Sequence, residues 1–362
     1  MTAINLEEPD HVPCFELGMN LAMIEKLLGR PTVSAAFGCM TTEQLKVLAR
    51  DTVEAYAVGG LDMVPASAGA PENYREGFVP QRLTANRWVD EFGRIWEDRP
   101  GLTGLSWYID GTVKSSEDLH KIAEIDPEDT GRTALARETV KCARDRGMAV
   151  AGYVDGPFLT AYMITGLADF LVKIYRDRPF AIKLLELVSE FNCVQARKLT
   201  ELGVDMIIIG DDMAGSNGPL MNPRDLKSIT FPFLAREVEE VKRTGTRVMI
   251  HSDGNTMPIF EDIVALGIDG YQAIEPDAGM DMALLKRKYG DRLCLIGNVD
   301  CGNTLTHGST SEVIVESRRV IDSAAQGGGL ILGSSNSIHD GVKLENFLAM
   351  TRTAVDYGKY PS

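Results

Sequence analysis

Polar residues recur immediately after apolar, β-rich runs in the second half of the chain: Asp211, Asp212, His251, Asp253, Glu275, Asn298, Asp300 and Asn336. Carboxylates and imidazoles are the side chains that move protons near neutral pH and hold divalent cations. His251 and Asp253 stand two apart where a strand becomes a loop, so both side chains point to one side of an extended chain. Both can therefore reach one ion, and Glu275 ends the neighbouring strand. An imidazole with carboxylates suits Zn²⁺ or a harder divalent ion. Each residue alone has a plain structural explanation. Asp253 is close enough to the next helical run to cap it, His251 can be a hydrogen-bonded histidine, and Cys301 can be a buried thiol instead of a further ligand. Their convergence is what points to chemistry.

For these residues to converge, the preceding strands must lie side by side and parallel. Strands are predicted at 11–17, 61–65, 148–153, 205–209, 247–250, 269–274, 293–296 and 329–332. Helices are predicted between them at about 41–58, 130–146, 169–202 (split near Pro179), 223–243, 257–266, 281–289 and 311–325, with a last one at about 343–356. Thr41 and Gln44 form a capping-box pattern, and Gly59-Gly60 a stop. Eight strand–helix units predict an α/β protein of the (β/α)₈ TIM-barrel class, a single domain over 1–362. In such a barrel the residues after the strands face one mouth. A doubly wound sheet is the alternative. Against it, no GxGxxG follows the first strand, Gly327-Gly328-Gly329 precedes a strand instead of opening a helix, and no P-loop occurs. Residues 70–112 break the rhythm. The segment 88–96 (WVDEFGRIW) reads as a hairpin turning near Phe92-Gly93, an insertion with Trp88 and Trp96 either as a lid or docking element or as local core.

With 52 acidic residues against 37 basic ones, the net charge of −15 repels phosphate backbones and anionic bilayers. No nucleic-acid or membrane partner is therefore expected. The six cysteines include no CxxC pair, which suits free thiols. The acidic start MTAINLEEPD has no apolar signal region, so a cytoplasmic protein is expected.

Four segments, 156–166 (GPFLTAYMITG), 251–255 (HSDGN), 297–300 (GNVD) and 333–350 (GSSNSIHDGVKLENFLAM), resemble the uroporphyrinogen decarboxylase superfamily. The resemblance implies a (β/α)₈ barrel, and one of two chemistries: porphyrinogen decarboxylation, or zinc-dependent methyl transfer to or from a corrinoid protein. The decarboxylase branch carries arginines in the loop after the first strand, where this chain reads Glu16-Leu17-Gly18-Met19-Asn20. That branch's aspartate after the second strand has no counterpart in Val64-Pro65-Ala66-Ser67-Ala68, and its histidine near the last strand aligns with Asn336. Tyr162 is kept. The methyltransferase branch carries a His-x-Cys pair, a glutamate and a second cysteine, and the matching positions here are His251, Asp253, Glu275 and Asn336. Replacing both thiolates by oxygen groups makes a bound ion harder and more Lewis-acidic. That suits a methyl ether, whose leaving oxygen needs charge stabilisation.

The resemblance thus implies a methyltransferase acting on a small methoxylated or methylamine-type compound. His251, Asp253 and Glu275 are the expected metal ligands, for Zn²⁺. Asp211, Asp212 and Tyr162 are the expected catalytic groups, and Asn298, Asn336, His339 and Asp155 the substrate contacts. No corrinoid-binding Asp-x-His-x-x-Gly motif occurs in the chain, so cobalamin would arrive on a separate corrinoid protein. Barrels of this kind also admit a homodimer. Uroporphyrinogen decarboxylase activity is the alternative; arginines such as Arg75, Arg82 or Arg87 folded into the mouth would favour it. A metal-free barrel that only binds a small ligand or a partner is the other.

Overall fold

A computed structural model describes residues 1–33, 40–74, 80–98 and 106–361. In chain order its strands are β1 (Met63–Ser67), β2 (Gln81–Arg82), β3 (Arg87–Val89), β4 (Arg94–Asp98), β5 (Ser106–Gly111), β6 (Ala149–Asp155), β7 (Met206–Gly210), β8 (Ala214–Gly215), β9 (Gly218–Pro219), β10 (Arg247–His251), β11 (Gly270–Ala273), β12 (Cys294–Val299) and β13 (Leu330–Ser334). Seven of them form one sheet in the order β1-β6-β7-β10-β11-β12-β13. Every pair in it is parallel.

The extended segment around Cys14 joins the two edges of this sheet. Phe15 N donates to Leu332 O at 3.0 Å, and Leu332 N to Pro13 O at 2.8 Å. On the other side Asp62 N donates to Cys14 O at 2.9 Å. Cys14 N in turn donates to the Asp62 carboxylate at 2.8 Å. The segment predicted as the first strand thus occupies the eighth position of a (β/α)₈ barrel. Side chains alternate along each strand: Met206 and Ile208 pack with Phe15, Met249, Ile296 and Ile331 in one buried cluster, whereas Ile207 and Ile209 pack with the outer helices in another. Ala3 and Ile4, on a short N-terminal turn, belong to the first cluster and close its strand-start end. The Gly327-Gly328-Gly329 run turns into β13 with φ of 78°, 78° and 75°. A Cβ on Gly328 would meet the Glu7 backbone at 2.5 Å, so the glycines serve close packing at that end.

The capping box at Thr41 and Gln44 starts the helix Thr42–Val58 as its sequence predicts. The helix Leu21–Leu28 was not among the predicted elements, and a second one was not legible. Pro157–Thr165 is a helix, with Leu167–Arg176 and Arg178–Glu201 after it. Seven of its nine residues are buried, so it lacks the polar face whose 3.6-residue period reveals a surface helix. It also carries no N-cap side chain of its own.

The hairpin expected at 88–96 is the central pair, β3–β4, of a four-stranded antiparallel sheet in the order β2-β3-β4-β5. Trp88 and Trp96 face each other across it. This sheet docks on the helix Pro157–Thr165. Val113 N donates to Ile164 O at 3.2 Å, and the Tyr108 hydroxyl to Tyr162 O at 3.2 Å. Backbone meets backbone at Gly111, where a Cβ would lie 1.9 Å from Ile164 O. No single helix among the described residues is long and apolar enough to cross a membrane. Gly111→Ala should therefore undock the sheet, with a loss of about 1–3 kcal/mol in urea unfolding, as overpacked sites show. A changed tryptophan emission should accompany it; unchanged stability and emission would show that the sheet is not held at this contact.

Candidate functional site

The strand ends carry the polar side chains toward one mouth, and the strand period sorts them. Asp211 and Asp212 follow β7 in succession, so they face opposite ways. Asp211 is fully buried. Its Oδ1 accepts the Leu159 N–H at 2.7 Å, so it caps the helix Pro157–Thr165 from outside. Burial pushes its carboxyl up to about 8. Asp212 faces the mouth, 31% exposed, with its Oδ1 3.6 Å from His251 Nε2.

His251 ends β10, and its register partner on β11 is Gln272. The imidazole Nδ1 hydrogen-bonds Gln272 Oε1. An amide oxygen only accepts, so Nδ1 carries a proton, and in the neutral ring that metal ligation requires Nε2 presents its lone pair. That lone pair faces Asp212 Oδ1 at 3.6 Å and Asp253 Oδ1 at 3.7 Å. Ligand-type atoms of Asp212, His251 and Asp253 all lie within 4.8 Å of one another. Asp253 Oδ2 accepts from Asn336 Nδ2 at 2.8 Å, while its buried Oδ1 has no hydrogen-bond partner. Burial pushes the Asp253 carboxyl up; a positive charge on His251, when its ring is protonated, opposes this, and Asp212 and Glu275 add to it. Two oxygens and an imidazole nitrogen converging, with the buried Asp253 Oδ1 left without a donor, fit a divalent cation, by the chemistry of the donor set.

Glu275 stands beside this cluster, where its Oε2 accepts from Gly254 N at 2.9 Å. The backbone leading to it is strained: Ala273 has φ 107° and Ile274 φ 51°, both in the region that side chains disfavour. Asn298 holds that turn through Nδ2, which donates to Ile274 O at 2.6 Å. Asn298 Oδ1 is buried and without a partner. Asp300 caps a turn by accepting from Asn303 N. Cys301 is a buried thiol pushed up to about 12 by its burial, in contact with Ser337 O. His339 is exposed and bonded to Gly341 N and Thr306, apart from the three clustered groups. Tyr162 and Asp155 line a cavity of about 390 Å³ beside Asp212. Burial raises both of their pKa values above the ordinary range.

Sequence reasoning passed over several groups here. Gln272 was signalled only as a polar residue inside an apolar strand. Arg94 and Tyr108 reach the cavity from the antiparallel sheet, together with Trp96, which the sequence offered as a lid or docking residue or as local core; their separation from the strand ends in sequence hides the shared cavity. Glu16, where a resembling decarboxylase carries arginine-rich sequence, is buried and accepts from Ser334 N and Oγ at 2.8 and 2.5 Å. Burial pushes its carboxyl up to about 8 despite those bonds. The described cysteines, Cys14, Cys142, Cys193, Cys294 and Cys301, are free thiols; Cys39 lies outside the described residues.

Residues 106–357 match the family model for uroporphyrinogen decarboxylase (URO-D). Among curated relatives, the methylcobamide:CoM methyltransferase MtbA of Methanosarcina mazei is 27% identical over 217 residues, 59% of this chain and 62% of the relative. A uroporphyrinogen decarboxylase of Trichodesmium erythraeum is 26% identical over 205 residues, 54% of this chain and 55% of the relative. The chain thus spans less than two thirds of the length of these relatives. Among solved structures, a methyltransferase from Methanosarcina mazei superposes with a TM-score of 0.72 at 20% identity, covering 98% of this chain and 97% of that one. A B12-independent methionine synthase from Shewanella sp. W3-18-1 reaches a TM-score of 0.52 at 15% identity, over 87% of this chain and 89% of that one. At these identities the superpositions establish the barrel fold.

Two outcomes follow from the geometry. Titration calorimetry with Zn²⁺ should find one site per chain, lost in His251→Ala and Asp253→Ala. Gln272→Leu should weaken it about 10–100-fold, the range for a removed ligand-orienting partner. Absence of Zn²⁺ binding by the parent protein would remove the metal centre. Independently, Glu16 in the folded chain keeps a proton that the unfolded chain releases above its ordinary 4.5. Stability should therefore fall as pH rises from about 4.5 towards 8. Glu16→Gln should make that slope shallower in denaturant titrations, with Asp211, whose carboxyl is raised to about 8 as well, supplying a remaining part; an unchanged slope would place the pH dependence elsewhere.

Proposed function

We propose, from the premise that this chain belongs to the uroporphyrinogen decarboxylase (URO-D) family, that it is a methyltransferase. It moves a methyl group from a small methoxylated or methylamine-type substrate to the cob(I)alamin of a separate corrinoid protein. The observation that carries this reading is the Asp212–His251–Asp253 cluster at the barrel mouth, with Nδ1 of the imidazole already engaged and Nε2 facing two carboxylate oxygens. The relatives named as methylcobamide:CoM methyltransferases support the reaction class.

His251, Asp212 and Asp253 would hold the ion, with Glu275 close enough to raise the Asp253 carboxyl. A bound Zn²⁺ supplies Lewis acidity, which stabilises negative charge on the substrate heteroatom as its bond to the methyl carbon breaks. Gln272 keeps the imidazole in the ligating tautomer. Asn336 holds Asp253 in place through its amide. Asp211 keeps the helix of Tyr162 against the mouth through Leu159 N. Tyr162, behind Asp212 in the same cavity, sits where the substrate body would lie. For a methyl ether the two electrons of the broken C–O bond would stay on oxygen, which takes a proton from solvent; for a methylammonium they would neutralise the nitrogen; in both the methyl carbon would go to the cob(I)alamin nucleophile.

Decarboxylation is the second reading, favoured by the decarboxylases among the relatives. A polycarboxylate needs unneutralised cations. In the two adjoining cavities Arg94 is flanked by Asp90 at 2.6 Å and Asp155 at 3.6 Å, and Arg132 is paired with Glu91 at 2.7 Å. Arg87 pairs with Glu97 on the antiparallel sheet and Arg82 bonds Ala85 O there; Arg75 lies outside the described residues. The local charge balance therefore opposes this reading.

Zinc-reconstituted protein with free cob(I)alamin should transfer methyl groups from methoxylated aromatics or methylamines. The rate should drop at least about 100-fold in His251→Ala, on the scale of losing one electrostatic stabiliser. No methyl transfer across that panel, with carbon dioxide released from a porphyrinogen, would establish the decarboxylase instead.

A further inference from the structure

The four-stranded antiparallel sheet contributes directly to the cavity beside Asp212. Trp96 and Tyr108 come from this sheet, Tyr153 from β6, and Tyr162 from the helix the sheet docks on. At about 390 Å³ the space is of small-ligand size. A second cavity of about 350 Å³ adjoins it, sharing Arg94, Trp96, Tyr153 and Asp155.

Arg94 is the decisive group. Its Nε donates to Asp90 Oδ2 at 2.6 Å. Its guanidinium carbon lies 4.9 Å from the Phe92 ring centre and 5.4 Å from that of Trp96, which holds the fork in place. Nη1 stops 3.6 Å short of Asp155, beyond hydrogen-bond distance. Among the described residues its terminal nitrogens make no hydrogen bond. A guanidinium only donates, so the cavity offers fixed donors and aromatic walls. Asp90, Asp155 and Asp212 surround Arg94, the one cation lining this cavity among the described residues, so a ligand carboxylate would enter an already acidic space.

We propose that this cavity binds an uncharged aromatic methyl ether. The ring packs among Trp96 and the three tyrosines, a phenolic or carbonyl oxygen accepts from the Arg94 terminal nitrogens, and the methoxyl oxygen points toward Asp212. The antiparallel sheet is then the element that selects the substrate. The fate of the methyl group rests on the methyltransferase reading; the binding does not.

Titration calorimetry on the full-length, zinc-loaded protein tests this with three probes: 2-methoxyphenol, 3-methoxybenzoate and tetramethylammonium. The phenol should bind at least about ten-fold more tightly than either ion. Arg94→Met and Trp96→Leu should each weaken it about ten-fold or more with Zn²⁺ affinity unchanged, the latter showing that the barrel mouth is intact. Preference for the benzoate, preference for the ammonium, or no binding of the phenol by the parent protein each overturns the proposal, with no variant needed. Methyl transfer from a non-aromatic donor without phenol binding overturns the pocket and leaves the methyltransferase reading standing. Tight phenol binding without methyl transfer to cob(I)alamin does the reverse.

Discussion

Two carboxylate oxygens facing one imidazole nitrogen is the arrangement around which the mouth of this barrel is built. Left alone it is repulsive, since each group presents electron density to the others. It persists because two of its members are held from behind: Gln272 engages the far nitrogen of His251 and Asn336 the far oxygen of Asp253. Asp212 Oδ1, the oxygen that faces the imidazole, accepts from Asp253 N at 3.2 Å. The three strand ends involved, β7, β10 and β11, are neighbours in one parallel sheet. Their register places His251 directly beside Gln272 and Gly210. The barrel supplies rigidity that a loop-borne cluster would lack.

Strain and burial gather around the same place. Ala273 and Ile274 hold unfavourable φ values just before Glu275, and the Asn298 amide pins them. Asp211 and Glu16 are buried carboxyls with raised pKa values, one capping a helix and the other bonding Ser334. These two are architectural: they hold the helix of Tyr162 and the last strand end where the cluster needs them. Over this base lies the antiparallel sheet, fixed by backbone contact at Gly111 and by Lys114, which reaches Thr165 O at 2.6 Å. Sheet and cluster are thus joined through one buried helix, Pro157–Thr165.

Much of this was legible in the residues. Continuous apolar runs at 205–209, 247–250 and 293–296 marked strands of a parallel sheet, and the capping box at Thr41 marked its helix. The helix Pro157–Thr165 was invisible because a helix buried nearly all round has no amphipathic period. His251 and Asp253 were expected together, since two residues of extended chain keep side chains on one face. Asp212, which the sequence offered with Asp211 as a catalytic group or further ligand without choosing between them, joins them because strand alternation turns Asp211 inward and Asp212 to the mouth.

The sequence by itself determined the barrel, the polar strand ends and the pairing of His251 with Asp253, because strand period and strand–helix alternation are local properties of the chain. Only the tertiary structure decided that Gln272 orients the imidazole, that Asp211 serves a helix, and that Arg94, Trp96 and Tyr108 face the same cavity as Tyr162. Those outcomes depend on register between strands and on docking of segments far apart in sequence. No residue spacing encodes them; close packing and the pairing of buried polar groups do.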